Sequence, residues 1–182
     1  MPELGAILLT LARNAIASRL GEPQTPADDC PELHNHGATF VTLTQHGDLR
    51  GCIGSLEAWR PLVQDVQENA VAAAFRDPRF SPLSADEFAI TRVEVSLLTP
   101  TEPLSFTCEA DALAQLHPGI DGVIFTAGRR RSTFLPQVWE QLPDPVAFMA
   151  HLKQKAGLPS NYWGPDVHLE RYRVKKWKEA AP

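Results

Sequence analysis

Apolar residues at Leu4, Ile7, Leu8, Leu11 and Ala15 recur at helical spacing, so the chain is predicted to open with an amphipathic helix. Pro2 suits its first turn and Gly21 its end. Residues 22–37, rich in Pro, Asp and Asn, read as a loop. The β-prone run at 38–45 (Phe40, Val41, Thr42, Leu43), a turn at His46-Gly47-Asp48 and a return at 49–53 predict a hairpin. A second helix is expected over 61–75, with Leu62, Val66, Asn69, Ala70, Ala73 and Ala74 on one side. It stops at Asp77-Pro78-Arg79-Phe80, because proline disfavours helical geometry in the residue before it.

Ser84 with Glu87 three residues on is a capping-box pattern for a short helix. Val93, Val95 and Leu97 alternate with Arg92, Glu94 and Ser96, the signature of a half-buried strand. Further on, residues 109–116 read as helix, 123–126 as strand, 128–131 as a hairpin tip and 132–135 as its return. Asp144-Pro145 opens a helix carrying Val146, Phe148, Met149 and Leu152, which stops at Gly157. Residues 167–177 alternate, with a slip at Glu170 and Arg171 that suggests a bulge. Helices and strands mix without a βαβ rhythm. The expected class is α+β, a mainly antiparallel sheet flanked by helices. Residues 1–182 form one expected domain with a larger and a smaller lobe, joined near the proline-rich stretch 99–103.

Composition narrows the possibilities. A 182-residue chain with 43% hydrophobic residues can bury an ordinary core, and a formal charge of -5 argues against a nucleic-acid footprint over the whole surface. No stretch approaches the apolar length needed to span a bilayer, and Glu3 stands where a secretory leader carries positive charge. The three cysteines, Cys30, Cys52 and Cys108, have unrelated spacings and do not form a disulfide framework or a paired zinc motif. A reduced, cytoplasmic thiol protein is the expectation. The short basic runs Arg129-Arg130-Arg131 and Arg171 to Lys178 read first as a solubilising tip and an edge strand guarded by lysines. Lys153 and Lys155 are explained by the dipole at their helix end. Cys30, His34 and His36 are metal-ligand types, but they read as a polar loop, and no metal or cofactor is assigned.

The chemistry concentrates at residues 49–55, Leu-Arg-Gly-Cys-Ile-Gly-Ser. On a regular strand Arg50 and Cys52 share a face, and a guanidinium beside a thiol favours the nucleophilic thiolate. Gly51 and Gly54 fit close approach by a ligand or another backbone. The competing reading makes Cys52 a small buried apolar group, Arg50 an ion-pair partner and the glycines a bulge. Asp77 and Arg79 either pair with each other or reach toward the hairpin.

These blocks resemble the AMMECR domain family, and within it the bacterial and archaeal form of the AmmeMemoRadiSam system. The resemblance rests on Phe40-Val41-Thr42-Leu43, Leu49-Arg50-Gly51-Cys52-Ile53-Gly54, Ala72-Ala73, Asp77-Pro78-Arg79-Phe80 and Glu94-Val95-Ser96. It continues through Gly122, Phe134-Leu135-Pro136-Gln137-Val138-Trp139 and Lys155-Ala156-Gly157-Leu158. It implies a two-lobed α+β fold and a functional link to a Memo-like protein and a radical-SAM protein. It also implies a site at Arg50, Gly51, Cys52 and Gly54, extended to Asp77, Arg79 and Gln137. Two functions follow as expectations. One is a thiol-centred enzyme or enzyme component, with Cys52 and Arg50 as its catalytic pair and a small-molecule ligand. The other is a binding or scaffold module that docks through the 49–55 hairpin.

Overall fold

Helix α1 (Leu4–Leu20) forms where the apolar spacing places it, burying Ile7, Leu8, Leu11, Ala12 and Ile16, while Ala15 is half-buried. The protein is described here from a computed structural model covering residues 3–182, so Pro2 lies outside the described residues. The chain divides into two compact units, one taking the chain up to Leu98 and again from Lys175, the other Thr99–Val174.

In the first unit, β1 (Thr39–Gln45), β2 (Asp48–Gly54), β3 (Thr91–Leu98) and β8 (Val174–Lys178) make a four-stranded sheet in the order β2-β1-β3-β8. Its inner face presents Val41, Leu43, Val93 and Val95 to α1 and α2 (Leu62–Phe75), whose Leu8, Ile16, Val66 and Ala70 complete the core. Helix α3 (Ala85–Ala89) carries the full capping box between Ser84 and Glu87. The alternation of β3 departs from expectation at its end, where Ser96 is buried and Leu97 only half-buried. Trp177 on β8 lies over Gly5 of α1, where any side chain would collide with its ring.

The second unit holds β4 (Glu102–Pro103), α4 (Glu109–Ala114), β5 (Gly122–Ala127), β6 (Arg130–Phe134), α5 (Pro145–Lys155) and β7 (Val167–Tyr172). Its sheet runs β4-β7-β5-β6, and its observed pairings are antiparallel. Phe125, Phe148, Leu152 and Leu169 fill the core, and Trp139 stacks on Phe148 with ring centroids 3.7 Å apart. Asp144 caps α5 as expected, but Val146 on that helix is exposed. Arg130 and Arg131 belong to β6 rather than to the hairpin tip.

One further reading is overturned and one extended. The slip at Glu170 and Arg171 is not a bulge, since β7 pairs with β5 in unbroken register. The phase changes because Tyr172 buries its ring on the opposite face from Leu169, over Gly122, and Arg173 then separates β7 from β8. Lys153 stands in the last turn of α5, where the dipole reading places it, and does more than that reading gives. It is buried, with its ammonium on the Glu109 carboxylate and 5.4 Å from the Trp163 ring centre.

Candidate functional site

The β1–β2 hairpin turns through His46 (φ 51) and Gly47 (φ 85), the pair of positive dihedrals that lets a two-residue loop match strand twist. The ladder then shifts: Leu43 faces Gly51, but Thr44 faces Leu49, so Arg50 has no cross-strand partner. This bulge breaks the alternation that would have set Arg50 beside Cys52. The Arg50 guanidinium instead donates from Nε to Glu87 Oε2 at 2.7 Å and from Nη2 to the Ser81 carbonyl at 2.7 Å. It also lies over the Phe80 ring. Arg50 therefore clasps the start of α3 rather than a thiol. Its hydrogen bonds, helped by Gln45, hold the Glu87 carboxyl at about 2 against the opposing effect of burial.

Cys52 is half-buried, and its Sγ accepts a hydrogen bond from Thr42 Oγ1 at 3.3 Å across the strand pair. Its main-chain N–H donates to Asp77 Oδ2 at 3.0 Å. The guanidinium that stands here is that of Arg79. It donates from Nε to Asp77 Oδ1 at 3.0 Å and from Nη2 to Asp77 Oδ2 at 2.7 Å. A longer bond runs from Nη2 to the Cys52 carbonyl at 3.4 Å. Helix α2 ends at Phe75 and Pro78 prevents its extension, so the chain turns and brings Asp77 back to β2. The Asp77 carboxylate is 2% exposed and the Arg79 side chain 54% exposed, so a buried anion anchors an accessible cation. The Arg79 bonds, with main-chain N–H groups of Cys52 and Arg79, hold the Asp77 carboxyl well below the usual range despite burial. The same pairing raises the affinity of Arg79 for its proton.

The close approaches at the two glycines are made by the protein itself. A side chain at Gly51 would collide with the Ala73 carbonyl of α2, and one at Gly54 with the Phe40 ring. Gln137 is exposed on a short 3-10 turn (Pro136–Glu140) of the second unit. His34 pairs with Asp29, while burial pushes the Cys30 thiol up. Among the described residues no group of three or more His, Cys, Asp or Glu could hold a metal ion.

Sequence reasoning missed Asp65, which lies on the buried side of α2. Its carboxylate accepts from Thr39 N at 2.7 Å, Thr39 Oγ1 at 2.8 Å, Ser55 Oγ at 2.6 Å and Arg60 Nε at 2.8 Å. Asn69 Nδ2 adds a bond at 3.1 Å. This network pins the open end of the hairpin to α2. The available signal was Asn69, a polar residue on the apolar stripe, with Asp65 four positions before it on the same face.

Comparison with known proteins agrees with the signature. The AMMECR1 family model matches residues 9–177, and the chain belongs to this family. A protein of Methanothermobacter thermautotrophicus is 37% identical over 96% of this chain and 94% of its own. Protein MJ0810 of Methanocaldococcus jannaschii is 35% identical over 99% of this chain and 92% of its own. The crystal structure of the uncharacterized protein PH0010 from Pyrococcus horikoshii superposes with a TM-score of 0.84 at 34% identity, covering 98% of this chain and 92% of that one. No helix among the described residues is long and apolar enough to cross a membrane.

Proposed function

We propose that Cys52, Asp77 and Arg79 form a thiol-centred site for an anionic small molecule, through which this AMMECR1-family protein acts as an enzyme or enzyme component. The supporting observation is the accessible Arg79 guanidinium, fixed beside the Cys52 segment by a buried carboxylate. Among the described residues its hydrogen bonds run through Nε and Nη2, which leaves the Nη1 edge for a carboxylate or phosphate. Cys52 supplies the nucleophile, with Thr42 orienting the sulfur. Asp77 is a positioning residue, because both its oxygens are bonded and its low proton affinity makes it a poor base. Arg50 braces the strand from the Glu87 side. The resemblance to the AmmeMemoRadiSam system adds a Memo-like protein and a radical-SAM protein to this reading as partners.

The test compares alkylation of Cys52 and Cys108 by iodoacetate and iodoacetamide, read peptide by peptide in a mass spectrometer. Cys52 is expected to react faster than the exposed Cys108 and to favour the anionic reagent, a preference that Arg79→Met removes. A Cys52 that reacts no faster than Cys108 and shows no anion preference overturns the assignment.

One observation favours a docking role. Leu49, Leu56 and Trp59 are exposed large apolar residues around the signature segment. On that reading Leu49→Ala and Trp59→Ala release a bound protein partner while Cys52→Ser retains it.

A further inference from the structure

The second unit contains a cleft of about 370 Å³, at the small end of ligand sites, bounded by Thr99, Pro100, Glu102, Asp121, Arg171 and Arg173. Asp121 follows a tight turn and is fully buried. Its Oδ2 accepts from His117 N at 2.8 Å and meets His117 Nδ1 at 3.1 Å. Its Oδ1 is buried with no hydrogen-bond partner among the described residues. A carboxylate oxygen in that condition is costly, since a buried acceptor loses water without gaining a donor.

The surrounding charges define what would complete it. Arg173 Nε stands 3.9 Å from Oδ1, beyond hydrogen-bond range, on a side chain 62% exposed and able to rotate. Arg171 Nε is likewise 3.7 Å from Glu102, while Nη1 of Arg171 donates to the Gln115 carbonyl at 3.2 Å. The backbone between them is fixed, because Arg173 N donates to Thr99 Oγ1 at 2.7 Å. Two guanidinium groups at the rim oppose a metal cation. The buried Asp121 carboxylate opposes a simple anion. A ligand bearing both charges satisfies both.

We propose that this cleft binds a small zwitterion of the α-amino acid class, its ammonium donating to Asp121 Oδ1 and its carboxylate held by Arg171 and Arg173. Arg173 swings from its position near Oδ1 to the ligand carboxylate on binding. The bidentate fork that arginine offers to carboxylates suits this second contact. The site is independent of the Cys52 reading and stands or falls without it.

The test is calorimetric titration of the full chain with glycine, L-alanine, L-glutamate and L-arginine, and separately with acetate and methylammonium. At least one amino acid is expected to bind below ~10 mM, with acetate and methylammonium each at least about tenfold weaker. Arg173→Met, at an exposed position, is expected to weaken amino-acid binding by about tenfold or more without unfolding the chain. Asp121→Asn, checked for folding by circular dichroism, is expected to do the same. No heat with any amino acid, equal binding of acetate, or unchanged affinity in a folded Arg173→Met protein overturns the proposal.

Discussion

The Asp77 carboxylate accepts the main-chain N–H of Cys52 at 3.0 Å, and this bond ties the signature strand to the turn that follows α2. The same carboxylate fixes Arg79, so one buried group sets both the position of the thiol-bearing segment and the direction of the nearby cation. Asp77→Ala is expected to lower stability by about 1–3 kcal/mol, because it removes the acceptor of the part-buried Cys52 N–H and of the Arg79 guanidinium. The midpoint of urea unfolding measures this.

Acid sensitivity follows from Glu87. Its carboxyl titrates at about 2 in the folded protein rather than near 4.5, because Arg50 bonds to the charged form. A depressed carboxyl stabilises the fold above its ordinary range, and that contribution is lost as pH falls through the folded value. Asp77 acts in the same direction. Urea midpoints should be level from neutral pH to about 5 and decline below it, more shallowly in Glu87→Gln.

The two signature glycines should respond unequally. At Gly51 the obstacle is the main-chain carbonyl of Ala73, which moves only if α2 moves. At Gly54 it is the Phe40 ring, a half-buried side chain that can rotate. Gly51→Ala should therefore cost about 3 kcal/mol and Gly54→Ala about 1 kcal/mol, read from thermal or urea unfolding.

The Lys153–Glu109 pair predicts a second asymmetry. The lysine is 1% exposed and the glutamate 35% exposed. Glu109→Ala leaves a buried ammonium without its counter-charge and should cost about 3–5 kcal/mol. Lys153→Met leaves a carboxylate that water can reach and fills a similar volume, so it should cost less than about 1.5 kcal/mol. Equal losses in the two variants would place the ammonium in water rather than under Trp163.

Local signals in the sequence carried far where the physics was local. The Ser84–Glu87 box, the Asp144-Pro145 helix start and the His46-Gly47 turn each depend on neighbouring residues, and each forms. The Cys52 surroundings depended instead on a ladder shift at Arg50, which no periodicity within β2 announces because it is a property of the pair. The pairing of Asp77 with Arg79 was visible in the sequence, but their joint hold on Cys52 required the turn after α2. The helix-end position of Lys153 was legible, but its burial was not, because the Glu109 carboxylate and the Trp163 ring that meet its ammonium come from outside that helix.

The strand order places β8 next to β3, although the whole second unit is synthesised between them. While the chain emerges from the ribosome, β3 therefore keeps an uncovered rim of peptide groups until Lys175 and its successors arrive. Those late residues close the rim, seat Trp177 on Gly5 and bring Lys176 and Lys178 to the Glu94 carboxylate of β3 at 3.6 and 3.3 Å, while Lys175 stays exposed. Premature termination within the second unit would thus produce a fragment able to add strands from other copies, whereas in the finished chain that rim of β3 is already paired.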